Sequence, residues 1–169
     1  MEFTSLRDLI NEVKGEVPGK SDNEVLNALR SSARKFMNTG NLYKHTFTVT
    51  LDEDETEYRL TMPDDVWIQS IIDQDEDVAF DGLYTITFDS AYYATDDEYE
   101  VEAYLGYKNT ATDYPEWIIQ RYSDGIVAGA RAVLIPSGKK HYNRIFHENL
   151  SSAMRFAGTF NGVKANDSQ

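Results

Sequence analysis

The sequence predicts an α+β fold: a helical scaffold of N-terminal helices plus a C-terminal helical hairpin, with an inserted antiparallel β-sandwich or small barrel. Three observations predict it. The apolar period is helical at both ends of the chain and alternates in the middle. The 169 residues are 41% hydrophobic and 12% aromatic, which excludes a disordered polymer and leaves room for one core plus an insertion. The formal charge of −13 is unevenly placed. Residues 1–51 hold seven basic and six acidic side chains, residues 52–116 two basic and twenty acidic, and residues 117–169 seven basic and three acidic. An acidic middle of −18 thus lies between ends of +1 and +4. Such a segment repels nucleic-acid phosphates.

Taken in order, Ser5 and Asp8 suggest a capping box for a first short helix with Phe3, Leu6, Leu9, Ile10 and Val13 on one face. Gly15 and Pro18-Gly19 interrupt it. Ser21 and Glu24 form a stronger box, opening a helix with Val25, Leu26, Leu29, Ala33, Phe36 and Met37 at spacings of three and four. Gly40 is its expected terminator. Alternation then begins, with Phe47, Val49 and Leu51 on one face of a strand. Asp52–Glu55 reads as a turn, and residues 56–61 as the partner strand. Strands follow over residues 66–72, 83–88 and 99–105; in the last, Tyr99, Val101, Ala103 and Leu105 face inward and Glu98, Glu100 and Glu102 face water. Short connections favour a meander, small barrel or sandwich.

Helix returns at Pro115, expected in a first helical turn. Trp117, Ile118, Tyr122, Ile126, Ala130, Val133 and Leu134 make a long apolar stripe. Gly125 and Gly129 lie on a face with Ala132, a small-residue groove that another helix can approach closely. Pro136-Ser137-Gly138 ends this helix, and a last one spans about residues 139–160, with Tyr142, Ile145, Phe146, Ala153, Phe156, Ala157 and Phe160 on its apolar side. The expected organisation is a helical scaffold over 1–42 and 115–160, an acidic β-domain over 43–114, and a flexible polar tail over 161–169.

The absence of cysteine excludes disulfides, thiolate metal sites and a cysteine nucleophile. Asp73, Asp75 and Asp77 open like a calcium loop, but Val78 and Tyr84 stand where that loop needs Gly and a bidentate acid. A solvated loop is the better reading, as it is for Asp52–Glu55 and for Asp96-Asp97-Glu98. His147-Glu148 begins like a zinc-protease helix, but Ser151 replaces the second His. His45 and His141 have no local partner either. No phosphate-binding loop or nucleophile elbow is present. No enzyme, cofactor or metal is expected. Eleven tyrosines could form an aromatic binding platform, but Tyr58, Tyr99, Tyr122 and Tyr142 fall on core-facing periods. Lys139, Lys140, Arg144 and Arg155 are more often a solvated helix face than a docking patch, although they could meet an acidic partner surface. Met1–Ser5 lacks a signal-peptide pattern, and no stretch reaches the apolar length of a membrane span.

Two stretches carry a family resemblance. One runs from Ser21-Asp22-Asn23-Glu24-Val25-Leu26 through Ala33-Arg34-Lys35-Phe36 to the strand at Phe47. The other runs from Tyr114-Pro115-Glu116-Trp117-Ile118 through Tyr122, Ile126, Gly129-Ala130 and Leu134 to Ala157-Gly158. Together with the helix–strand–helix order, they resemble the head-to-tail adaptor (connector) proteins of tailed bacteriophages. Where similar proteins place a Trp early in the last helix, this chain has Tyr142 nearby. The resemblance implies a homo-oligomeric ring, usually of twelve copies, docked beneath the portal protein in the neck of the virion and made in the host cytoplasm. It implies tail proteins as further partners and genomic DNA passing through the channel without sequence-specific binding. Candidate subunit and portal contacts are then Gly125, Gly129, Lys139, Lys140 and Arg144, with Phe160, Val163 and Lys164 at the tail. The competing expectations are an aromatic-rich β binding module for carbohydrate or a host surface and, after it, a carboxylate-dependent hydrolase or metal enzyme.

Overall fold

A computed structural model describes residues 2–52, 55–72, 74–88 and 98–164. The chain divides into two compact units, Met1–Leu42 with Asn109–Gln169, and Tyr43–Lys108.

The first unit opens with β1 (Phe3–Ser5), which pairs antiparallel with β8 (Asp113–Pro115). Phe3 therefore lies on a strand, 48% exposed, rather than on the expected apolar helix face. Residues 109–115 belong with the helices for the same reason: β8 is held to β1, and Leu6 N–H donates to Thr112 O at 2.8 Å. Ser5 caps a 3-10 turn, Leu6–Leu9, by accepting from Arg7 N–H, and α1 (Ile10–Lys14) follows. In α2 (Asp22–Gly40) the expected capping box is present in both directions: Glu24 N–H donates to Ser21 Oγ at 3.2 Å, and Ser21 N–H donates to Glu24 at 3.0 Å. The Ser21 N–H, the Lys20 ammonium and the Ser21 hydroxyl, all donating to the Glu24 carboxylate, pull it down to about 2. Every apolar position expected to face inward on α2 is buried. The helix does not stop before Gly40. It runs through Gly40 and ends at Asn41, which takes the left-handed conformation at φ 49°. Gly40 is needed for space, because a Cβ there would meet the Leu42 and Leu150 side chains at 2.7 and 3.0 Å.

Pro115 sits just before α3 (Glu116–Leu134), which kinks at Tyr122 and is joined to α4 (Lys139–Lys164) by the 3-10 turn Pro136–Gly138. The expected hairpin forms. The Phe156 ring lies 5.5 Å from that of Trp117 and beneath the Arg121 guanidinium. The α3 helix is buried on more than one side, with Ile118, Ile119, Ile126, Val127 and Ala128 all inside. Val133, at the end of the expected stripe, is instead 61% exposed.

The small-residue groove on α3 is closed by the chain's own helices. A Cβ on Gly125 would meet Asn149 Cβ of α4 at 2.5 Å and Phe36 of α2 at 3.2 Å. One on Gly129 would strike Ser32 Oγ and meet Phe146 at 2.7 Å. Gly125 and Gly129 are therefore internal seams and not the open subunit groove expected of them. Ser32, buried within α2, donates to the Ile126 carbonyl at 2.7 Å, which supplies the partner that a buried hydroxyl needs. Phe36 stacks edge-on to Phe146 at 5.5 Å and lies 6.1 Å from Tyr122, filling the three-helix junction. At another point Arg131 of α3 donates to the Glu12 carbonyl at 2.8 Å, and Glu16 accepts from the Tyr142 hydroxyl at 2.6 Å. The helix α4 also continues past Phe160 to Lys164, where a flexible tail was expected. No proline follows Phe160, and a lone Gly162 costs a helix only about 1 kcal/mol. Residues 165–169 of that expected tail lie outside the described residues.

Among the described residues the second unit holds two three-stranded antiparallel sheets. In the first, β7 (Glu98–Tyr107) is central between β2 (Lys44–Thr50) and β4 (Val66–Ile71). In the second, β6 (Thr85–Phe88) is central between β3 (Glu57–Arg59) and β5 (Val78–Phe80). The expected alternation in β2 and β7 is present: Phe47, Val49, Leu51, Val101, Ala103 and Leu105 are buried. The order is not a meander, and neither sheet closes on itself among the described residues. In particular β3 does not pair with β2. The turn between them is held by the buried Tyr58, whose hydroxyl accepts from Asp52 N–H at 2.7 Å and donates to Glu55 O at 3.1 Å. Leu83, expected to start a strand, sits in a turn instead. Asp81 accepts from the N–H groups of Leu83, Tyr84 and Thr85, which lowers its pKa, and Gly82 supplies φ 82°. The sheets touch through Phe88 and Tyr99, edge-on at 4.9 Å, and enclose a cavity of about 30 Å³ bordered by Ile71, Val78, Ile86 and Val101.

Filling the Gly129 seam is expected to destabilise the first unit. Gly129→Ala gains helix propensity of about 0.5–1 kcal/mol but incurs overpacking of about 1–3 kcal/mol. Urea unfolding followed by circular dichroism should show net destabilisation.

Candidate functional site

Two surfaces can do something beyond hold the fold. The first is the start of α4. Lys139, Lys140 and Arg144 are all exposed there, and no acidic residue occupies the first turn. A helix N-terminus carries partial positive charge and favours acids, so Lys139 and Lys140 stand where they weaken their own helix. Lys140, Arg144 and His147 follow at helical spacing and are exposed together. The rest of this unit is nearly neutral: thirteen basic against eleven acidic residues over 1–42 and 109–169. The 43–108 unit holds three basic and eighteen acidic. Charge is thus divided along the structural boundary, at +2 and −15.

The second surface is a cleft of about 530 Å³ between β2 and β3, lined by residues 45–50, Glu55 and residues 57–61. Phe47, Val49, Tyr58 and Leu60 form its floor side, being buried, and Thr46, Thr48, Thr50, Glu57 and Arg59 are exposed. His45 borders the cleft. Its ring is edge-on to Phe47 at 4.6 Å, and burial holds its pKa below the ordinary imidazole value. Nothing in the period of the sequence distinguishes this cleft from an ordinary hairpin. Only the pairing of β3 with β6 opens it.

The structure brings together Lys139, Lys140 and Arg144 and separates them from Gly125 and Gly129, which are interior. Phe160, Val163 and Lys164 lie on the last helical turns. His45 belongs to one unit, and His141 and His147 to the other. Asp75 accepts from the Tyr99 hydroxyl at 2.6 Å. Asp73, Asp96 and Asp97 lie outside the described residues, as do two of the acids of the Asp52–Glu55 turn. Among the described residues no three His, Asp or Glu side chains gather as a metal site, and no helix is long and apolar enough to cross a membrane. Of the nine described tyrosines, Tyr43, Tyr58, Tyr107, Tyr114 and Tyr122 are buried, and only Tyr84 is exposed, with Arg59 over its ring at 4.8 Å. The indole of Trp67, also exposed, lies against Gly106.

No protein-family model matches the chain, and no curated protein matches it with significant similarity.

Because His45 binds its proton less readily in the folded state, its contribution to stability is present above about pH 6.5 and is lost as the pH falls through the lower folded value. Thermal melts between pH 7.5 and 5.5 should show a falling melting temperature for the native chain and a shallower fall for His45→Gln.

Proposed function

We propose that the protein is a non-enzymatic head-to-tail adaptor of a tailed-phage virion, in which the helical unit makes the ring and portal contacts. The observation that carries this reading is the exposed basic start of α4, at Lys139, Lys140 and Arg144, on a unit that is otherwise nearly neutral. Charges that weaken their own helix have no role in folding, and an acidic partner surface gives them one. The order of elements supports it too: helices flank one acidic β unit, as the resembling family implies.

In this reading the subunits form a ring, of twelve copies by the resemblance, with the last turns of α4 at Phe160, Val163 and Lys164 reaching a neighbour or the portal. The two sheets of the acidic unit are layers of a small open sandwich that meet through Phe88 and Tyr99. Eighteen acids against three bases keep that unit off DNA in the channel. An aromatic platform for carbohydrate has no comparable support, since most described tyrosines are interior and the exposed Tyr84 ring is covered by Arg59.

The triple variant Lys139→Glu/Lys140→Glu/Arg144→Glu separates assembly from folding. Mixed with a portal protein encoded by the same genome, the native chain should form rings on the portal, visible by electron microscopy. The variant should lose at least tenfold in association while its melting temperature stays the same or rises, because acids suit a helix N-terminus. A native chain that remains monomeric and never binds portal would contradict the proposal.

A further inference from the structure

The cleft between β2 and β3 is bounded by two sheet edges whose hydrogen-bonding groups face into it. The register of β2 on β7 pairs Lys44 with Tyr104, and Leu105 N–H donates to Tyr43 O at 2.8 Å. Antiparallel pairing bonds alternate residues to each side. The odd-numbered residues of β2 therefore bond to β7, and the main-chain groups of Lys44, Thr46, Thr48 and Thr50 point away from it. The same reasoning applies to β3. Leu60 N–H donates to Tyr84 O, and Phe88 N–H to Thr56 O, so the even-numbered residues bond to β6. Glu57, Arg59 and Thr61 then present their main-chain groups to the other side. Residues of both sets line the one cleft of about 530 Å³. Among the described residues no strand pairs with the outer edge of β2, which is seven residues long, whereas β3 is shortened to three and carries Glu57 and Arg59, two of the devices by which proteins block such edges.

The side chains around the cleft specify what would fit. A strand laid along β2 sends alternate side chains to the two faces of the sheet. On the inner side it would meet Phe47, Val49, Tyr58 and Leu60, all buried and apolar. On the outer side it would lie beside Thr46, Thr48 and Thr50, behind which run Glu102, Glu100 and Glu98 of β7, paired with them in register. A strand added beside β2 lies about 10 Å from β7, two strand spacings, so its lysines would extend across the short threonine side chains toward that acidic row, of which Glu102 is already bonded by Lys44 at 2.8 Å. We propose that the cleft binds an extended segment of a partner protein, with apolar and basic residues in alternation, which adds a strand to the β2 edge. This site is separate from the basic start of α4, and it does not depend on the adaptor reading.

The probe is the acetylated, amidated hexapeptide Val-Lys-Val-Lys-Val-Lys, added to the full chain. Controls are the Glu-for-Lys peptide, and the Lys peptide N-methylated at alternate residues to remove the donors facing β2. Amide exchange followed by NMR should slow at least tenfold at Thr46 and Thr48 on adding the Lys peptide, and much less at the already paired Val101 and Ala103. The effect should weaken in high salt and be absent with both controls. Thr48→Pro removes an outward N–H without breaking a bond to β7, and it should abolish the protection while leaving the circular dichroism unchanged. Three results would overturn the proposal. One is slow exchange at Thr46 and Thr48 in the free monomeric chain, meaning that the edge is already covered. Another is equal binding of the acidic peptide. The last is self-association that Thr48→Pro abolishes, which would assign the edge to a second copy.

Discussion

The closeness of α2, α3 and α4 at Gly125 and Gly129 is the constraint on which the helical unit rests. Two missing side chains let Ser32 and Phe36 from one helix, and Phe146 and Asn149 from another, come against the backbone of α3. Ser32 converts that approach into a hydrogen bond to the Ile126 carbonyl, worth about 0.5–1.5 kcal/mol net. Each glycine costs α3 about 0.5–1 kcal/mol of helix propensity relative to alanine. The cost is accepted because any Cβ at these positions would push three helices apart and open the junction that Phe36 fills.

That seam also fixes what is left for partners. With Gly125 and Gly129 used internally, the helical unit shows outwardly its charges, above all at the start of α4, and single apolar side chains such as Phe3 and Val133. The β unit shows the opposite balance. Its cores are closed by Phe47, Val101, Tyr58, Ile86 and Phe88, and its charged side chains are eighteen acidic against three basic. Cohesion and recognition therefore use different residues: apolar and small side chains hold each unit together, and polar ones distinguish their surfaces.

Much of this was legible in the sequence. The Ser21–Glu24 box and the Val25 to Met37 spacing define α2 because capping and period are local signals. Strands β2 and β7 are plain for the same reason: Phe47-Val49 and Val101-Ala103-Leu105 alternate over long enough runs. The small-residue face of α3 was visible as well, although not which helices would fill it, since Ser32 and Phe146 are distant in sequence. Pairing order was not legible. Thr56–Thr61 looks like the return arm of a hairpin, and nothing local reveals that its ladder partner is β6. Short elements were lost as well: β1, β5 and β8 have three residues each, too few for a period to show. The cleft follows from that non-local pairing, so no local signal could have marked it.

The division into Met1–Leu42 with Asn109–Gln169 and Tyr43–Lys108 implies that the helices can stand without the acidic β unit inserted between them. Excising residues 43–108 and joining Leu42 to Asn109 through a flexible Gly/Ser linker tests it directly. A self-sufficient helical unit would give a helical protein with a single cooperative thermal transition and well-dispersed side-chain NMR signals. A product that is helical but melts without cooperativity, or that does not fold, would contradict it.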